Sequence, residues 1–144
     1  MCYAEKLLIS KQDQLSPMHT HVIKAEDIIN RGGATLVVEL FGSKTNGEFA
    51  NDTGGVVFCD GIRREFVPGE KLRLAPGESV TLLPGDWHAF WGEGGDVLIG
   101  EVSTVNDDNT DNVFREEIGR FSQIEEDEPP RHLLVCDYKK WLRY

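Results

Sequence analysis

Residues 67–103 read VPGEKLRLAPGESVTLLPGDWHAFWGEGGDVLIGEVS, and the punctuation of this segment points to one fold class. Short apolar runs at 71–74, 79–83, 88–91 and 97–103 are separated by Pro68-Gly69, Pro76-Gly77, Pro84-Gly85 and Gly94-Gly95, with a turn signal about every ten residues. Runs so short and so regularly broken do not build helices; they describe the strands of a sandwich or barrel. The same pattern extends outward to runs at 3–9 (YAEKLLI), 34–41 (ATLVVELF) and 55–59 (GVVFC), with a turn read at Asn30-Arg31-Gly32-Gly33. The expectation is an all-β domain whose barrel strands lie between residues 3 and 103.

At 144 residues the chain has the size of one domain. Hydrophobic residues make up 40% and charged residues 28%, a balance that excludes general disorder. The 25 acidic against 15 basic side chains give a formal charge of −10, which repels a polyphosphate backbone and argues against a nucleic-acid partner. Residues 105–130 hold nine acids and two bases, so −7 of that charge sits in one segment without strand alternation. We read 104–131 as an acidic loop, with at most a turn or two of helix, that could fold over a site as a lid. Residues 132–144 would supply a final strand, Leu133-Leu134-Val135-Cys136, and a tail.

Cys2, Cys59 and Cys136 are widely spaced and form no C-x-x-C pair, which fits a reducing compartment better than a disulfide framework. The first six residues carry charges, no apolar leader segment follows, and no apolar run reaches 18 residues. These features predict a soluble cytoplasmic protein with no membrane partner.

Chemistry concentrates in the histidines. His19 and His21 flank Thr20, and on a strand residues two apart share a face, so both imidazoles can point at one centre. His88 opens a strand after the Pro84-Gly85 turn. Glu26 lies five residues after His21, an odd separation, and can join the histidines only if the chain turns or bulges near Val22-Ile23. Such a turn brings Lys24 to the side of Glu26. Three imidazoles and one carboxylate suit Mn²⁺, Fe²⁺, Co²⁺, Ni²⁺ or Zn²⁺, with positions left open for a chelating substrate. His132 stands outside this pattern and is read as structural. Of Trp87, Phe90 and Trp91 around His88, at least two are expected to pack the core.

The segment H-T-H-(x)4-E-(x)5-G, from His19 to Gly32, resembles the first motif of the cupin superfamily, and Gly77-(x)6-Pro84-Gly85-(x)2-His88 resembles its second. Residues 16–33, 36–41, 72–80, 100–108 and 124–129 are closer still to one cupin family, the D-lyxose isomerases. The resemblance runs from about Tyr3 to Tyr138, and longer members of that family carry a largely helical extension ahead of the corresponding region. It implies a single jelly-roll barrel over 1–144, interconversion of D-lyxose with D-xylulose and of D-mannose with D-fructose, and a sugar as partner. It also implies a homodimer, and a metal, Mn²⁺ first, held by His19, His21, Glu26 and His88.

An aldose–ketose isomerase moves a proton between C1 and C2 through an enediol, which requires a shuttling side chain. Glu101 is the first candidate, because it interrupts the apolar strand VLIGEVS on the face of Val97 and Ile99. Glu39 in LVVELF qualifies by the same parity argument. The resemblance places Lys24 in the active site, where it could hold a substrate oxygen. Asn106, Asp108 and Arg120 are candidate hydroxyl-binding groups on the lid. The same ligand set also permits a non-haem iron dioxygenase or a metal-bearing sugar-binding module without turnover, since fold and ligands alone do not fix chemistry.

Overall fold

Two long strands, β3 (Glu26–Phe41) and β8 (Trp87–Thr104), pair antiparallel along their whole length, from Glu26 opposite Ser103 to Phe41 opposite Trp87. They come from a computed structural model that describes residues 3–118, 125, 127–133 and 137–143. The pairing slips between Asn30 and Gly32 and again between Gly33 and Thr35, and there the two-strand ribbon bends. On one side of the bend, β3 pairs with β7 (Ser79–Leu82) and β8 with β1 (Tyr3–Ser10). That leaf continues through β4 (Gly55–Cys59) to β5 (Ile62–Phe66). On the other side, β3 pairs with β6 (Glu70–Leu74), and β8 with β2 (Ser16–His21), which in turn carries β9 (Asn112–Phe114).

The two leaves close a jelly-roll barrel over one core. Ile28, Val57, Val80, Val97 and Ile99 of the first leaf meet Leu36, Val38, Leu40, Leu72, Leu74 and Phe90 of the second. Each fully buried aliphatic side chain contributes about 1.5–3 kcal/mol before chain entropy is subtracted. Helices are confined to the single turns α1 (Asp108–Asp111) and α2 (Tyr138–Trp141) among the described residues, and none is long and apolar enough to cross a membrane.

The all-β reading holds, but two expected turns do not. Asn30-Arg31-Gly32-Gly33 and Glu93-Gly94-Gly95-Asp96 lie inside β3 and β8, where they form the bend rather than chain reversals. Gly33 (φ +98°) lies so close to the facing strand that a Cβ there would stand 2.3 Å from the Asp96 carbonyl oxygen. Glycine thus serves a close approach of backbones at the bend. Strand β5 escapes the sequence pattern because IRREF exposes every residue but Phe66; the Asp60-Gly61 turn, positive φ at both positions, pairs it to β4. The acidic segment is not purely loop, since α1 matches the expected helical turn but β9 joins the sheet. Leu133 is not in a strand, and residues 134–136 of the expected final strand lie outside the described residues.

Asn30 ties the bend together. Fully buried, it donates through Nδ2 to the carbonyls of Ala34 and Leu74, both at 2.9 Å, and accepts through Oδ1 from Gly32 N at 3.0 Å. Asn30→Ala removes three hydrogen bonds and leaves buried backbone groups without partners, which is expected to cost about 2–4 kcal/mol. A urea unfolding midpoint unchanged from wild type would show that the bend does not depend on this side chain.

Candidate metal centre and active site

Strand β2 presents His19 and His21 on its inner face, and His88 stands directly opposite His19 on β8. The His19 and His88 rings are 4.2 Å apart between centroids. Backbone carbonyls hold both rings from behind, with Nδ1 of His19 2.7 Å from Pro17 O and Nδ1 of His88 3.1 Å from Asp86 O. Each ring therefore turns Nε2 inward. Glu26, the first residue of β3, brings Oε1 to 3.2 Å from His21 Nε2 and 3.0 Å from His88 Nε2. The ligand atoms of His19, His21, Glu26 and His88 all fall within 4.8 Å of one another.

The chemistry of this set fits a divalent transition metal. His88 Nε2 is buried and, although near Glu26 Oε1, has no hydrogen bond of proper geometry, so a buried nitrogen lone pair is left for an ion. Burial and the neighbouring His88 lower His19 to a pKa of about 3, which keeps its imidazole in the neutral, metal-binding form at neutral pH. Burial pushes the Glu26 carboxyl up, but the imidazoles of His21 and His88 and the Lys24 ammonium outweigh it and hold Glu26 well below the usual carboxylate range. The site thus offers a neutral imidazole at His19 and an ionised carboxylate at Glu26.

Lys24, 4% exposed, joins the cluster as expected: Nζ lies 2.6 Å from Glu26 Oε2 and 3.0 Å from Glu101 Oε1. Burial would lower the lysine, but Glu26 and Glu101 raise it, so it stays an ammonium. Glu101 shares its buried face with Val97, Ile99 and Ser103, as the parity argument expected. Lys6, on β1 directly across from Glu101, donates to the same Oε1 at 2.9 Å. Among the described residues, Oε2 of Glu101 carries no hydrogen bond. Lys6 was not singled out from sequence; its inward place in the alternating run YAEKLLI was the available signal.

The turn that brings Glu26 inward is held by a residue the sequence reading passed over. Asp111, 2% exposed, accepts at Oδ1 from Val22 N (3.1 Å) and Ile23 N (2.7 Å), and at Oδ2 from Lys24 N (3.1 Å) and Asn106 Nδ2 (2.9 Å). It looked like one more acid in a charged run.

A cavity of about 410 Å³ opens beside the cluster. Lys6, His19, His21, Lys24, Glu26, Phe90 and Glu101 line it, together with Asp108, Asn112, Phe114 and Ile118 from the acidic segment. The other expected substrate-binding groups are placed differently. Asn106 donates to Asp108 Oδ1 at 3.3 Å as well as to Asp111, and so supports the wall rather than lining it. Glu39 is not brought to the cavity: it lies opposite Ala89, on the face away from His88, with Oε1 3.9 Å from Lys71 Nζ. The parity argument failed for Glu39 because its neighbours Val38 and Leu40, not Glu39 itself, face the core. Arg120 lies outside the described residues. His132 is exposed and is not among the four clustered ligands. Trp87 and Phe90 are buried, and Lys71 lies 5.4 Å from the centre of the Trp91 ring.

Comparison with known proteins agrees with this geometry. Among solved structures, L-ribose isomerase from Cellulomonas parahominis superposes with a TM-score of 0.60 over 81% of this chain and 59% of its own, at 20% identity. L-ribose isomerase from Acinetobacter sp. DL28 in complex with L-ribose gives 0.56 over 78% and 58%, at 18% identity. At such identities these likenesses establish the cupin-type fold. Two curated relatives are far more similar in sequence. D-lyxose/D-mannose isomerase of Serratia proteamaculans is 52% identical over 142 residues, and that of Escherichia coli O157:H7 is 48% identical over the same length. Each alignment covers 97% of this chain and 62% of the relative, so the chain spans less than two thirds of the length of these relatives. The model of the D-lyxose isomerase family matches residues 1–138. With nearly the whole chain matched, and its four clustered ligands all within that match, the protein belongs to the D-lyxose isomerase family.

Proposed function

We propose that the protein is a metal-dependent aldose–ketose isomerase, interconverting D-lyxose with D-xylulose and D-mannose with D-fructose. The observation that carries this reading is the clustering of His19, His21, Glu26 and His88 beside a cavity that the Glu101 carboxylate and the buried Lys24 ammonium line together. The two relatives are D-lyxose/D-mannose isomerases, which supports D-lyxose and D-mannose as the aldoses. Mn²⁺ is the first choice of ion, with Fe²⁺, Co²⁺, Ni²⁺ and Zn²⁺ compatible with the same ligands. When bound, the ion acts as a Lewis acid that stabilises negative charge on adjacent sugar oxygens.

The chain's own groups supply the rest of the reaction. Glu101 takes the proton from C2 of the aldose and returns it to C1, through Oε2, while the hydroxyl proton of O2 passes to O1 and Lys6 and Lys24 hold Oε1. Lys24 stands between Glu26 and Glu101 and offers its ammonium to a substrate oxygen as charge develops there. Asp108, on the cavity wall with Asn112 and Ile118, supports the lid reading of the acidic segment, with Asp108 and Arg120 as hydroxyl-binding groups and Asn106 holding Asp108 in place. Exposed Leu7, Ile9 and Leu98 form an apolar stripe on β1 and its neighbour β8, which supports a homodimer. The wide spacing of Cys2, Cys59 and Cys136, with no C-x-x-C pair, supports a reducing, cytoplasmic setting.

Loaded with Mn²⁺, the protein is expected to form ketose from D-lyxose or D-mannose and to stop when a chelator is added. Absence of metal-dependent ketose would remove the isomerase reading, and oxygen consumption with an organic substrate would replace it with an oxygenase. His88→Ala is expected to lose metal by at least about a hundredfold in affinity, beyond the 10–100-fold typical of groups behind the ligands; full metal content in this variant would refute the ligand set. Glu101→Gln is expected to lower kcat about 10²–10⁴-fold with metal retained, the range supplied by a general acid–base group. Unchanged turnover would exclude Glu101 as the shuttle.

A further inference from the structure

We propose that Asp111 is a positioning residue for the metal centre, whose carboxylate shapes the Val22–Lys24 turn and through it sets His21 and Glu26. The inference deepens the proposed function and rests on the four clustered residues being a metal site.

Three successive backbone N–H groups, those of Val22, Ile23 and Lys24, converge on the two oxygens of Asp111. Consecutive N–H groups curled in this way form a concavity that favours an anion, and Asp111 is the anion supplied. The turn is the one local feature that the metal centre cannot do without. An unbroken strand from His21 would carry Glu26 to the opposite face, and the 22–25 turn restores it to the inner one. The same turn delivers Lys24 between Glu26 and Glu101.

A second observation points the same way. His19 and His88 each rest Nδ1 on a backbone carbonyl, whereas His21 Nδ1 is buried without a hydrogen bond. The group that stands behind it is Asp111 Oδ2, at 3.9 Å. A carboxylate behind the ring nitrogen that faces away from the centre is the kind of group that orients ligating histidines. Asp111 also closes α1, which places Asp108 and Asn112 on the cavity wall, so the acidic segment and the ligands are fastened at one carboxylate.

Asp111→Asn is close in shape but sets an amide NH₂ against one or more of these N–H donors. Chelator-treated protein is titrated with Mn²⁺ by calorimetry, the visible spectrum of the Co²⁺-loaded form reports the coordination, and circular dichroism reports folding. Asp111→Asn is expected to stay folded, to bind Mn²⁺ about 10–100-fold more weakly and to change the Co²⁺ spectrum. Asn30→Ala, destabilised at the bend away from the turn, is expected to keep wild-type Mn²⁺ affinity and spectrum. Should Asp111→Asn not fold, Asn106→Ala removes one hydrogen bond from Oδ2 and is expected to weaken Mn²⁺ binding about fivefold. Wild-type affinity and spectrum in the folded Asp111 variant, or in Asn106→Ala if it stands in, overturns the proposal. An equal loss of affinity in Asn30→Ala also overturns it, because any destabilisation would then suffice. Wild-type protein that takes up no Mn²⁺ or Co²⁺ would instead remove the metal site on which the inference rests.

Discussion

Everything at the centre of this protein depends on the pairing of β3 with β8 and on the bend halfway along it. The ribbon is long enough to belong to both leaves, so its two halves carry different partners and enclose one core. The irregularity at the bend also resets parity. His88 and Glu101 are thirteen residues apart, an odd separation that an uninterrupted strand would resolve onto opposite faces. Extra residues around Gly94-Gly95 bring both inside, one on each side of the bend. Asn30 and the close approach at Gly33 are the cost of that geometry, and they are buried because the bend must be.

The site itself is an alternation of opposite charges in a poorly solvated interior. Lys6 and Lys24 meet on Glu101, Lys24 continues to Glu26, and Glu26 continues to the imidazoles. Burying any one of these charges alone would be costly, and each is tolerated because the next compensates it. This arrangement explains how the Lys24 ammonium and the Glu26 carboxylate remain ionised at such depth.

Much of the site was legible in the chain. The H-x-H pair, Glu26 with its required turn, His88 after Pro84-Gly85 and Glu101 within an apolar strand were all readable, because strand periodicity assigns faces and metal chemistry restricts residue types. The errors have a common origin. Glu39 obeys the same pattern as Glu101 but faces the other way, since an apolar run buried on both sides carries no mark of which face is inner. Glycine pairs that bend a strand look like glycine pairs that end one, which is why two turns were expected within β3 and β8.

Sequence alone determined the fold class, the candidate metal-ligating residues and the need for a turn between His21 and Glu26, because these follow from local periodicity and side-chain chemistry. Tertiary structure decided what holds that turn and what partners the buried carboxylate. Asp111 is 87 residues from Lys24 along the chain, and Lys6 is 95 from Glu101. Local pattern can mark Lys6 as inward but cannot name its partner, and Asp111 in an acidic segment reads as solvated until the fold buries it.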